Sequence, residues 1–166
     1  MNRLQIALEQ IEFARGYSLR ILDAIPHEQW FEFPSGSPSH VAWQAGHLAI
    51  AEYRLGIERI RGKRETDEQF FPASFLQNFG KDTVPVPNKG QYPEPKEILS
   101  VMRGVHEKVL EEVPRMTDDE LDLPPHTDHP LAKTRLACLQ WCANHEMLHA
   151  GQLGLIRRML GFKPLW

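Results

Sequence analysis

The sequence predicts an all-α fold, a four-helix bundle, and three observations carry that reading. Four long segments repeat apolar residues at helical spacing. Almost no stretch alternates β-branched with polar residues, so a sheet has little to build on. Proline- and glycine-rich connections separate the segments, and the longest runs from Gly62 to Pro93, between the second and the third.

The first helix is expected from about Asn2 to Ile25. Leu4, Leu8, Ile11, Ser18, Leu22 and Ile25 form one stripe that Arg15 interrupts, and Pro26 is the stop. Ser37-Pro38 offers a cap followed by a first-turn proline, so the second helix is expected from Pro38 to about Arg61. Val41, Gln44, Leu48, Ala51 and Leu55 line one side of it, with His47 beside them, and Gly62 ends it. A short helix is expected within Asp67 to Phe79, where Phe70, Phe71, Phe75 and Phe79 supply apolar surface. Residues Lys81 to Pro93 read as extended, and so long a connection is expected to cross an end of the fold. The third helix begins near Glu94 or Pro95 and carries Ile98, Met102, Val105, Val109 and Val113. After an acidic, proline-rich stretch from Thr117 to Pro130, the fourth is expected from Leu131 to Leu160. Its buried face is read as Cys138, Cys142, His145, His149, Gln152 and Ile156.

Composition narrows the class of function. A chain of 166 residues is expected to form one domain, 1–166, with 42% apolar and 25% charged residues, as in soluble globular proteins. Nineteen basic and 22 acidic side chains leave a formal charge of -3. Nucleic acid is therefore not an expected partner, and Arg59 to Arg64 reads as a solvated helix end. No stretch approaches the roughly 20 apolar residues that span a bilayer, so no membrane association is expected. Met1 to Gln5 lead straight into an amphipathic pattern without the features of a secretory signal, and the expected location is cytoplasmic. Cys138 and Cys142, four apart on one helix, are poorly placed for a disulfide.

The chemistry lies in His145-Glu146-Met147-Leu148-His149. Histidines four apart share one helix face and can share one metal ion. A buried imidazole must find a partner, and a divalent cation serves both rings at once. The alternative is a pair of hydrogen-bonded core or surface histidines. Two ligands underfill a site, and His47, beside the apolar stripe of another helix, is the candidate third. The string also spells the zinc-peptidase signature, in which the glutamate is a general base. Here the 17 residues after His149 hold no His, Asp or Glu. Gln152 stands where the extended signature needs Gly, and Leu155 where it needs His. Adjacent helical residues point about 100° apart, so Glu146 need not face a metal held by His145. The chain is not read as a peptidase.

Two longer strings, Ser39 to Ala49 around His47 and Asn144 to Gln152 with its His-x-x-x-His-x-Gly-Gln core, carry a family resemblance. With Tyr92-Pro93 before the third helix, the chain resembles the DinB/YfiT-like superfamily of small metal-binding four-helix proteins over nearly its whole length. The resemblance implies up-down-down-up connectivity with the long crossover between the second and third helices. It implies a metal triad of His47, His145 and His149, with nickel or zinc foremost and manganese or iron as other occupants. It also implies a homodimer and, from some relatives, transfer or isomerisation chemistry using a low-molecular-weight thiol and a small electrophile. A noncatalytic metal- or ligand-binding protein and a structural dimer are the alternatives.

Further residues are candidates for the pocket. Gln44 and Gln152, one turn from His47 and His149, could orient a bound group or cap the polar part of the core. Arg15 could bind an anionic cosubstrate or run out to solvent. Cys142, one turn from His145, reads first as a small core residue, with a metal ligand or nucleophile as the alternative. Trp43 and Trp141 are expected to pack beside the site. His126 and His129 read as surface loop histidines, with a place at the pocket mouth as the alternative, while His27 sits with Pro26 at a helix exit and His40 and His106 have no partner evident in the sequence. Phe31, Phe33 and Trp166 are spare aromatics suited to a dimer surface.

Overall fold

The computed structural model describes residues 2–165, which form helices, turns and connections without a strand. Helix α1, Arg3–Asp23, starts at Asn2, whose side chain accepts from the Gln5 amide at 2.8 Å. Leu4, Ile11, Arg15, Ser18 and Leu22 are buried as the stripe requires. A 3-10 turn at His27–Gln29 then delivers Trp30 into the core, where its Nε1–H donates to the Ile25 carbonyl at 3.1 Å.

Helix α2 covers residues 41–61 as Val41–Glu52, a π-turn at Tyr53–Glu58 and a closing turn at Arg59–Arg61. It begins three residues later than Ser37-Pro38 suggests. The Ser37 hydroxyl is occupied in a local turn with the Ser39 carbonyl at 2.6 Å. His40 caps instead, its Nδ1 accepting from the Trp43 amide at 3.1 Å. Gly62, at φ 81°, ends the helix in a conformation that side chains rarely adopt.

The long connection is ordered by a 3-10 turn at Glu65–Gln69, helix α3 at Ser74–Phe79 and a 3-10 turn at Lys89–Gln91. Phe71, Phe75 and Phe79 are buried, and α3 packs on α2. Helix α4, Pro95–Glu112, follows, with Ile98, Met102, Val105 and Val109 buried. A short helix α5, Asp118–Asp122, lies within the acidic, proline-rich stretch, where the sequence reading placed no helix. Its signal was present: Thr117 and Glu120 form a capping box, and Leu121 is buried.

Helix α6, Arg135–Met159, is capped by Thr134, which accepts from the Ala137 amide at 3.1 Å. Leu131, expected at its start, is exposed, and its amide donates to His129 Nδ1 in the preceding loop. The helix lies along α1 and also contacts α2. Of the expected stripe, Cys138, Cys142 and Ile156 are buried, while that packing brings Glu146 and Leu153 inward in place of the histidines and Gln152. His145 and His149 are half-buried at the edge, and Gln152 is exposed.

The core includes an ionic cluster. Arg15 of α1, 1% exposed, bonds Glu52 of α2 at 2.6 Å and Glu146 of α6 at 3.1 Å. The second oxygen of Glu52 meets His106 Nδ1 of α4 at 2.7 Å. Phe31 is also interior, so it is not a spare surface aromatic; Phe33 is half-buried against His40, and Trp166 lies outside the described residues. No helix among the described residues is long and apolar enough to cross a membrane.

Candidate metal centre

His47 on α2 and His145 and His149 on α6 converge where the two helices meet. Their ring centroids are 5.4 Å (47–145), 4.8 Å (47–149) and 4.6 Å (145–149) apart. One nitrogen from each ring lies within 4.8 Å of the others, a group that could hold a divalent metal ion. Among the described residues no further His, Cys, Asp or Glu joins the group.

The surrounding structure fixes the chemistry of two rings. His47 Nδ1–H donates to the Phe79 carbonyl at 2.9 Å, because α3 ends against this turn of α2. His149 Nδ1–H donates to Gln44 Oε1 at 2.6 Å across the α2–α6 contact. Both bonds leave Nε2 as a bare lone pair, the arrangement that metal-ligating histidines use. His145 has no such lock, and its Nδ1 is buried without a hydrogen-bond partner. Burial also disfavours protonation. His145 is lowered to about 4 and His149 to about 3, with neighbouring rings adding to the effect. His47 is lowered by burial, the bond to Phe79 opposes, and the positive charge of Arg54 adds. Near neutral pH the cluster therefore offers neutral imidazoles, the form that binds metal. Two locked tautomers and a third ring nitrogen lacking a partner fit a divalent cation.

Trp43 stacks flat on His47, with centroids 4.8 Å apart and planes at 8°, and its indole N–H donates to Thr83 Oγ1 at 2.8 Å. Trp141 lies 6.5 Å from His145, and His129 lies 6.2 Å from Trp141. Of the other expected pocket residues, Gln44 is bonded to the cluster as described. Gln152 is exposed, because α6 turns it outward past the α2 contact. Arg15 neither binds at the site nor reaches solvent, since two carboxylates hold it in the core. Cys142 lies on the same inner side: burial foremost pushes its thiol up, and Glu52 and Glu146 push the same way. Such a thiol is a packing residue, not a nucleophile. His126 is exposed and accepts from Arg135 at 3.1 Å.

Glu146 does not face the three histidines as the base of the zinc-peptidase signature would. It is buried and turned toward α1, where its carboxylate meets Arg15. Burial raises its pKa, with Arg15 opposing. Sequence reasoning missed the Phe79 carbonyl and Thr83. A backbone acceptor supplied by a distant helix end leaves no signal in residue type.

Comparison with known proteins agrees with this architecture. A solved structure described as the crystal structure of the conserved protein of locus from Enterococcus faecalis is similar, with a TM-score of 0.73 and 14% identity. The match covers 98% of this chain and 99% of that one, and at this identity it speaks for the fold alone. No curated protein matches. The family model of the DinB superfamily matches residues 10–153, most of the chain. The chain belongs to the DinB superfamily.

Proposed function

We propose that this protein binds a divalent metal ion through His47, His145 and His149 and uses it as a metal-dependent transferase or isomerase acting with a low-molecular-weight thiol. The observation that carries the reading is the convergence of three neutral imidazoles, two with Nδ1 tied down, and no fourth ligand in the group among the described residues. A structural zinc site closes with four protein ligands, whereas a three-ligand set keeps positions for exchangeable molecules. Nickel or zinc is the proposed occupant, with manganese and iron as the other choices for an imidazole site. When bound, the cation supplies Lewis acidity, which makes a thiol or a water a stronger nucleophile at neutral pH.

The chain's own residues hold and shield the centre. Gln44 and the Phe79 carbonyl orient two rings, and Trp43 covers one face of His47. The proposal includes one domain over residues 1–166, a four-helix bundle with up-down-down-up connectivity, and a cytoplasmic homodimer.

The test begins with metal analysis of tag-free protein reconstituted with nickel or zinc. One ion per chain is expected, and replacement of any of the three histidines with alanine is expected to abolish stoichiometric binding. Failure of the reconstituted wild type to hold metal would sink the metal reading. Thiol chemistry is tested by metal-dependent consumption of a small electrophile with glutathione and related thiols. An intact metal site without turnover across that panel favours noncatalytic binding.

A further inference from the structure

We propose a second binding site, remote from the three histidines, that takes a small phosphate monoester and is anchored by Arg135. It stands apart from the metal reading and needs no metal ion.

The site is a cleft of about 540 Å³ where the ends of α2 and α4 meet the start of α6, within the size range of small-molecule pockets. Gly56 lies in its floor, where α2 and α4 pack closely: a Cβ added there would stand 2.7 Å from Val109 Cγ2. Gly56 belongs to the π-turn Tyr53–Glu58, a widened turn of a kind frequent at functional sites. None of the three histidines lines the cleft. Arg135 precedes His145 by ten residues, about 15 Å along α6.

Four arginines line the cleft, and among the described residues Arg135 is the one that forms no ion pair. Its Nη2 donates to His126 Nε2 at 3.1 Å, and its Nε is buried without a partner. Such an orphaned donor is what a bound ion or water satisfies. A guanidinium only donates, so His126 Nε2 accepts and the ring proton sits on Nδ1. That N–H has no hydrogen-bond partner among the described residues. Arg135 and His126 thus bring unclaimed donors to one wall of the cleft.

Three glutamates also line the cleft, and each is committed within the chain. Glu112 accepts from Arg61 at 2.7 Å, Glu111 from Lys108 at 2.7 Å and Glu120 from the Thr117 amide at 2.8 Å. Arg64 and Arg115 stand exposed at the rim, held only loosely by Glu112 at 3.6 Å and Glu111 at 3.5 Å. Exposed pairs of that length are worth little, so both side chains are free to turn onto a ligand. A phosphate monoester brings close to two negative charges and three strong acceptor oxygens. The guanidinium fork matches that geometry. A carboxylate, with one charge and two oxygens, would leave part of the donor set unfilled.

The test titrates nitrogen-15-labelled full-length protein, zinc-loaded and metal-free, with inorganic phosphate and glycerol 3-phosphate, and follows the side-chain NMR signals of Arg135 and His126. Acetate is the singly charged comparison. Both phosphates are expected to shift those signals with a dissociation constant of about 1 mM or tighter, the same with and without zinc. Acetate is expected to bind at least about tenfold more weakly. Arg135→Gln is expected to weaken phosphate binding at least about tenfold, and Arg115→Ala, a change at an exposed rim residue, about threefold. Thermal melts check both variants; if Arg135→Gln does not fold, Arg115→Ala decides. The proposal is overturned by no shift with either phosphate, by acetate binding as tightly, or by shifts that need zinc or centre on the three histidines. Unchanged phosphate affinity in the folded Arg135→Gln, or in Arg115→Ala where that variant decides, overturns it equally. Because the metal-free arm stands alone, failure of zinc to bind would sink the metal reading and leave this one intact.

Discussion

Gln44 and the Phe79 carbonyl each take the Nδ1 proton of one ring, so that Nε2 is presented unprotonated to the cluster. Removing such a support at a metal site costs about 10–100-fold in affinity. Gln44→Leu is expected to lower zinc affinity by that factor in a chelator competition, with the melting temperature of the metal-free protein little changed. Unaltered affinity would mean that His149 needs no orienting partner. At this scale the sequence was informative where spacing alone sets geometry. His145 and His149 had to share a face, and His47 stood out as a polar ring beside an apolar stripe. Gln44 was visible only as a neighbour, because its partner lies 105 positions away. The role of Arg15 was hidden for the same reason: nothing local reveals that Glu52 and Glu146 meet it.

The contact between α2 and α3 couples an element to the site. A Cβ added at Gly46 would lie 2.3–2.5 Å from ring atoms of Phe79, the residue whose carbonyl fixes His47. Gly46→Ala is therefore expected to lose about 1–3 kcal/mol in urea unfolding, from overpacking. It is also expected to weaken metal binding, since α3 must shift with Phe79. Gly151 on α6 is the control: an added Cβ meets nothing within 4 Å, and Ala there is expected to be neutral or to stabilise by up to about 1 kcal/mol. A destabilised Gly151→Ala would count against the account of both sites. The extent of the long helices was readable from periodicity, whereas their starts were decided by competition among nearby caps. Ser37 lost to His40 and Leu131 to Thr134 because loop hydrogen bonds had already committed the earlier residues.

Across the whole molecule, Arg15, Glu52, Glu146 and His106 tie α1, α2, α4 and α6 together. Removing one partner of a buried pair strands the other charge, at about 3–5 kcal/mol. Glu52→Ala should show a loss of that order in thermal or urea unfolding. Unfolding at wild-type stability would show that the cluster is not a structural tie. Stability should also depend on pH. His40 and His145 titrate at about 4 and His149 at about 3 in the fold, against about 6.5 when exposed. Between about pH 6.5 and 4 the unfolded chain binds more protons, so these residues make metal-free protein less stable as pH falls through that window. Glu146, raised by burial, opposes this trend. His40→Asn keeps a capping side chain but removes one titrating ring, and unfolding curves at pH 7 and 4.5 should show a smaller drop than wild type.

Glu146 also changes what the short string on α6 can be used for. Two successive residues there belong to different neighbourhoods: one histidine looks to α2, and the acid beside it looks to α1. A search by pattern reads both as one device, and an engineer who trusted it would look for a hydrolytic base at the wrong azimuth. To give this scaffold a proton acceptor beside its metal, the carboxylate has to be installed on the histidine side of the cluster and not at Glu146. Glu146 is then best left untouched, as part of the frame on which such a redesign depends.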